Sequence, residues 1–355
     1  MMYNNGYTDE NSEVYREYDF YDGIVINDAR SSFNRFFTGL FVFNLISYAI
    51  AFGFTVAVLL IFGEARANEI LTNPYVSMIM GVLPMYLVAL PVLMLIVRKI
   101  PTRKPQKQDF TVISFLAAIP VTMLFMTVGN IIGVQLNGLI GALKGAPVTN
   151  DTAELVENSP IWLTVLLVVI IAPVVEEFIF RKLMIDKLST YGNVTAILVS
   201  SLAFGLFHGN LYQFFYSALV GLVLGYIAVK SGSWLNSVIL HALINLYGAI
   251  VSPFIGKALE KYLELYEAYT AGEIAETAEL VRYSVIAQAF SSFQIAMLAG
   301  GVLILIFASK KKKLVISEHY STLIPKGKRG YVIFGNFGMI AFLISAAIIF
   351  TLSIL

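Results

Sequence analysis

Long uncharged apolar stretches constrain this chain more than any other feature. Residues 37–63, 75–98, 110–140, 161–186, 193–209, 212–230, 234–252, 284–308 and 331–355 are strongly apolar, and all but 161–186 are almost free of charge. Each approaches the ~20 residues that a helix needs to cross the hydrocarbon of a bilayer. Overall, 58% of residues are hydrophobic and 13% charged, with mean hydropathy +0.77. A soluble domain carries about 25% charged residues, so the solvent for most of this chain is lipid. The expected fold is all-α: a polytopic transmembrane helical bundle of about eight to nine spanning helices. The third stretch is long and contains Pro120 and Gly129, so a break near one of them is expected. Only His208-Gly209-Asn210-Leu211 separates the fifth from the sixth, which predicts a tight hairpin whose tip stays inside the protein.

The other segments frame this bundle. Residues 1–35 are acidic and rich in tyrosine and asparagine. They read as a disordered cytoplasmic tail, with the transmembrane domain at 36–355 and its motif-bearing core at about 160–252. Arg98 to Lys107, Arg181 to Lys187, Lys230, Lys310 to Lys313 and Lys326 to Arg329 all fall on one side if nine spans alternate. Positive residues favour the cytoplasm, so the N-terminus is expected inside and the protein in the plasma membrane of a bacterium. The first span is expected to direct insertion. The acid-rich segment 254–283 has a helical spacing that suggests a short helix lying on the outer surface. With a net charge of +1 and no basic run interleaved with aromatics, nucleic acid is not an expected partner. The absence of cysteine removes disulfides, thiolate metal sites and cysteine nucleophiles.

Ionisable groups are costly inside a span, at about 2.5–3.5 kcal/mol each on insertion scales, yet three neighbouring spans carry them. The fourth has Glu176, Glu177 and Arg181; the fifth ends in Phe204 and His208; the seventh holds His241 and Asn245. The third histidine, His319, lies in a polar loop. Residues four apart share a helix face, so Glu177 can pair with Arg181 while Glu176, about 100° around the helix, stays free. A free carboxylate in a dry site suits general-base chemistry. Histidine can hold a proton on water, and His with Asn can donate to an oxyanion. Taken singly each motif is more simply structural: an ion pair, an interhelical hydrogen bond, a packed phenyl ring. The three together point to one polar site. Counted from the basic side, however, His208 stands nearer 20–25 Å deep and Glu176 about 10–15 Å deep, and tilted or shifted helices are needed to bring them together.

The ordered set Glu-Glu-x-x-x-Arg, Phe-x-x-x-His and His-x-x-x-Asn on separate membrane helices resembles the CPBP family. That family holds the CAAX prenyl endopeptidases of the Ras-converting type and the bacterial Abi proteins. The resemblance covers about 70 residues and implies an intramembrane endopeptidase acting on a membrane-proximal or lipidated peptide or a membrane protein. It implies that Glu176 and His208 activate water, that His241 and Asn245 form the oxyanion pocket, and that Glu177, Arg181 and Phe204 brace the site. A divalent metal such as zinc on Glu176, His208 and His241 and a metal-free mechanism both remain open. The alternatives are a non-catalytic peptide-binding module, such as an immunity or scaffold protein, and a proton-coupled transporter. The lack of an internal repeat counts against the transporter.

Overall fold

The computed structural model describes residues 10–318 and 323–355, with side chains from Gly23 onward except Lys326. His319 lies outside the described residues. Every regular element among them is helical. In chain order these are α1 (Glu10–Leu71), α2 (Pro74–Val97), α3 (Val112–Lys144), the short α4 (Asp151–Asn158), α5 (Ile161–Tyr191), α6 (Asn193–Phe207), α7 (Leu211–Ser231), α8 (Trp234–Thr270), α9 (Ala278–Lys310), the short α10 (Arg329–Phe334) and α11 (Phe337–Ile354). Eight of these helices are long and apolar enough to cross a membrane, and α6, with 15 residues, is the shorter ninth. The protein is a multi-pass helical membrane bundle.

Four expectations need correction. The stretch 23–35 is packed helix and not a mobile tail. Val25, Ala29, Phe33, Phe36 and Leu40 recur at spacings of three to four and are all buried, so a helical period is hidden among polar residues. Arg30 donates from Nη2 to the Gly335 carbonyl at 2.7 Å, and the Asn34 side chain accepts from the Gly338 N–H at 2.7 Å. These bonds tie α1 to the break between α10 and α11, which divides the expected last span. α3 runs unbroken through Pro120 and Gly129. Segment 254–270 continues α8 instead of forming a separate surface helix. At 37 residues α8 is about 55 Å long, so it overshoots a hydrocarbon core of about 30 Å.

Proline shapes several of these helices. Wide π turns cover Met85–Ala89, Val165–Ile171 and Tyr247–Val251. Each ends two residues before a proline: Pro91, Pro173 and Pro253. A proline ring clashes with the carbonyl four residues earlier and offers no N–H. Widening the preceding turn relieves that clash without ending the helix.

Small residues set the spacing between elements. Gly129, Gly133 and Gly141 form a stripe on α3. A Cβ on Gly129 would stand 2.3 Å from the Tyr216 Cα, and one on Gly133 would stand 2.7 Å from the Leu211 carbonyl oxygen. The backbones of α3 and α7 therefore touch, as small-residue stripes permit in membranes. α6 and α7 meet in the same way through Gly205, Gly221 and Gly225. The hairpin tip between α6 and α7 lies level with Gly133, eleven residues short of the end of α3 at Lys144. The tip is recessed, as its short loop predicts. α1, α2 and α11 cover one flank of the α5–α6 pair with Phe33, Phe37, Leu93 and Phe342, while α3 and α9 flank α7 and α8 on the other side.

Candidate active site

The polar residues of α5, α6 and α8 converge. Glu177 and Arg181, one turn apart on α5, pair at 3.1 Å with both side chains fully buried. The Arg181 guanidinium lies 4.6 Å from the centre of the Phe204 ring and donates from Nη2 to the Gly221 carbonyl at 3.3 Å. A cation against an aromatic face and a carbonyl is partly compensated for its lost hydration. The arginine thereby joins α5, α6 and α7.

His241 on α8 lies on the other side of Glu177. Its Nδ1 is 2.9 Å from Glu177 Oε1, and its Nε2 faces Glu176 Oε2 at 3.8 Å. A carboxylate only accepts, so with Glu177 ionised Nδ1 carries the proton and donates. Glu177 thus holds both Arg181 and His241, a role for which the pairing with Arg181 alone gave no hint. Glu176 Oε2 is buried and makes no hydrogen bond within the protein. Its side chain is 13% exposed, against 0% for Glu177. Two adjacent glutamates therefore have distinct environments, one locked in a network and one free.

His208 ends α6. Its Nδ1 is 2.8 Å from the Phe204 carbonyl, so that nitrogen donates and Nε2 is left with its lone pair. The Phe204 ring meets His208 at 4.8 Å and His241 at 5.6 Å between centroids, edge-on to both. One phenyl ring therefore separates and orients the two imidazoles. His208 lies within electrostatic reach of Glu176, His241 and Arg181. The depth mismatch expected from the sequence disappears because α5 extends to Tyr191, five residues beyond the expected boundary. Glu176 and His208 then stand equally far along the chain from Gly192, whose φ of 127° makes the turn between α5 and α6. Antiparallel helices with equal arms bring both residues to one level.

Asn245 points toward α5, as its spacing from His241 predicts, and donates from Nδ2 to the Val168 carbonyl at 2.8 Å. In an i→i+5 turn that carbonyl would receive the N–H of residue 173, but Pro173 has none. Asn245 supplies the missing donor. One of its two amide hydrogens is thereby committed, and the second remains for other acceptors.

Two tyrosines escaped the sequence reading. Tyr86, in the widened turn of α2, and Tyr216, on α7, both lie within electrostatic reach of Glu176. The only sequence signal for Tyr86 is its position between Pro84 and Pro91; Tyr216 is one of several aromatics and gave none. Glu176, His208 and His241 are the residues that a divalent metal would use if the site holds one; among the described residues no three histidine, cysteine, aspartate or glutamate side chains are gathered so as to hold a metal ion.

Residues 158–247, about a quarter of the chain, match the family model described as Type II CAAX prenyl endopeptidase Rce1-like. The matched segment contains every residue of the site on α5 to α8. No curated protein and no solved structure matches the chain.

Proposed function

We propose that the protein is an intramembrane endopeptidase in which Glu176 activates a water for attack on a peptide carbonyl. One observation supports this above the rest. Glu176 presents a buried carboxylate oxygen without a protein partner beside the Nε2 of His241 and within electrostatic reach of His208. The match of this segment to a CAAX-protease family model favours the same reading.

In the proposed reaction Glu176 takes a proton from water as the oxygen forms its bond to the carbonyl carbon. His208 Nε2 accepts the second hydrogen of that water and fixes its lone pair toward the substrate. The developing oxyanion is stabilised by His241 and by the uncommitted amide hydrogen of Asn245. His241 can donate from Nε2 when both ring nitrogens carry a proton. Collapse of the tetrahedral intermediate breaks the C–N bond, and Glu176 returns its proton to the leaving amine. Glu177 and Arg181 keep His241 oriented throughout. The substrate is a membrane-proximal or lipidated peptide, or a segment of a membrane protein.

The test uses purified protein in liposomes with internally quenched peptides, some carrying a prenylated C-terminal cysteine and some not. Wild type is expected to cleave at least one of them. Glu176→Ala and His208→Ala are expected to lose about 10²–10⁴-fold in rate, the range for a positioned acid–base group. Equal cleavage by all three proteins overturns the proposal.

A further inference from the structure

The two ends of the bundle differ in a way that bears on how a substrate reaches Glu176. At the basic end, two loops lie across the turns that carry the site helices. The Arg103 N–H donates to the Asp186 carbonyl at 2.7 Å, and Lys187 Nζ donates to the Ile100 carbonyl at 2.9 Å. The Gln108 N–H donates to the Lys230 carbonyl at 2.8 Å. The second loop adds Glu318, whose carboxylate accepts from the N–H groups of Asn193 and Val194 at 2.7 and 2.9 Å. It thereby caps α6, where Gly192 has no side chain to do so. Gln108 and Ser317 join the two loops to each other. Beneath this belt Phe180, Met184, Leu188, Ile227 and Val229 are all fully buried. A belt of hydrogen-bonded loops above a dry apolar layer is a closed door.

The opposite end is open. Because the α6–α7 tip is recessed, a cavity of about 290 Å³ lies above it. Its floor is Gly209, Asn210 and Tyr212, its roof is residues 148–152 leading into α4, and its wall includes Ser353 of α11 and Tyr48 of α1. The floor continues into the site along the chain. Gly209 follows His208, and Tyr216, one turn along α7 from Tyr212, lies close to Gln213 and within electrostatic reach of Glu176.

We infer that water and substrate enter through this cavity, from the face opposite the basic loops. By the positive-inside rule that face is extracytoplasmic. The substrate class narrows accordingly to peptides or membrane-protein segments exposed outside the cytoplasm, and excludes lipidated C-termini presented on the cytoplasmic side. The inference rests on the hydrolytic reading for its substrate, but the route itself can be tested without activity.

The chain has no cysteine, so an introduced thiol is the only one present. His208→Cys and Gln108→Cys would be made separately and placed in sealed right-side-out and inside-out vesicles. A membrane-impermeant maleimide is then added to each. His208→Cys is expected to react only from the face that bears residues 148–152, and Gln108→Cys only from the other. Adding Ser353→Trp to His208→Cys is expected to abolish the labelling. Labelling of His208→Cys from the basic face, or from neither face, overturns the route, as does unchanged labelling in the double variant. In parallel, a water-soluble peptide supplied to wild type is expected to be cleaved only from the cavity side. Cleavage from the basic side alone refutes the route and leaves the peptidase reading standing. One-sided labelling with no Glu176-dependent cleavage of any peptide refutes the peptidase reading and leaves the route standing.

Discussion

Glu176 and Glu177 are chemically identical neighbours, and their difference is entirely one of environment. Glu177 holds a guanidinium and an imidazole with its own side chain fully buried, so its loss leaves Arg181 charged and without its ion-pair partner. Glu177→Ala is expected to cost about 3–5 kcal/mol, the range for breaking a buried pair, read as a lower midpoint of thermal unfolding in detergent. Glu176→Gln removes a carboxylate that pairs with nothing by a direct hydrogen bond, so its unfolding midpoint is expected to stay near wild type while cleavage is lost. The sequence showed which glutamate would pair, because Arg181 lies four residues from Glu177 and one helix face holds both. It did not show that His241 shares the same carboxylate oxygen, because that contact crosses two helices whose relative rotation no local spacing reports. For the same reason Asn245 read as an oxyanion donor alone, when half of its donor capacity goes to Val168.

At the scale of elements, the helices were legible by hydropathy but their ends were not. The polar run at 186–191 looked like a loop, yet Asp186, Lys187 and Ser189 are buried under the basic-end loops and stay in the helical path. That misplaced boundary alone produced the apparent depth mismatch between Glu176 and His208. The link between Pro173 and Asn245 gives a sharp prediction. Asn245→Ala strands the Val168 carbonyl and is expected to cost about 0.6–1.7 kcal/mol, as for interhelical hydrogen bonds in membranes. Pro173→Ala in the same chain returns a backbone donor and is expected to recover the stability without the activity. Unfolding and cleavage assays on the single and double variants separate the two effects. The α3–α7 contact offers another. Gly129→Ala drives a methyl group into the Tyr216 backbone and is expected to destabilise by about 1–3 kcal/mol, the usual cost of overpacking. Gly81→Ala on α2, where a Cβ meets nothing within 4 Å, is the matched control and is expected to be neutral.

For the whole molecule, the multi-pass architecture was readable from composition and span length because lipid imposes a length and a polarity on every crossing. The packed helix at 23–35 was not readable, since its apolar period is diluted by polar residues such as Asn27, Asp28 and Ser31 on the faces away from the core. The asymmetry of the two ends was half visible: the clustering of positive charge was plain, but nothing local said that those loops also close over the site helices. Sidedness is expected to follow the charge. A reporter enzyme fused after residue 106 should be active only in the cytoplasm, and one fused after residue 147 only outside. The clasp at the basic end also joins parts of the chain made far apart in time. Its last components, Ser317 and Glu318, are synthesised more than a hundred residues after Asn193, and chains fold from the N-terminus as they are made. The helix bearing His208 is thus secured at its base only after α9 has been made, so a ribosome-bound, half-inserted chain does not yet hold that helix in its finished place.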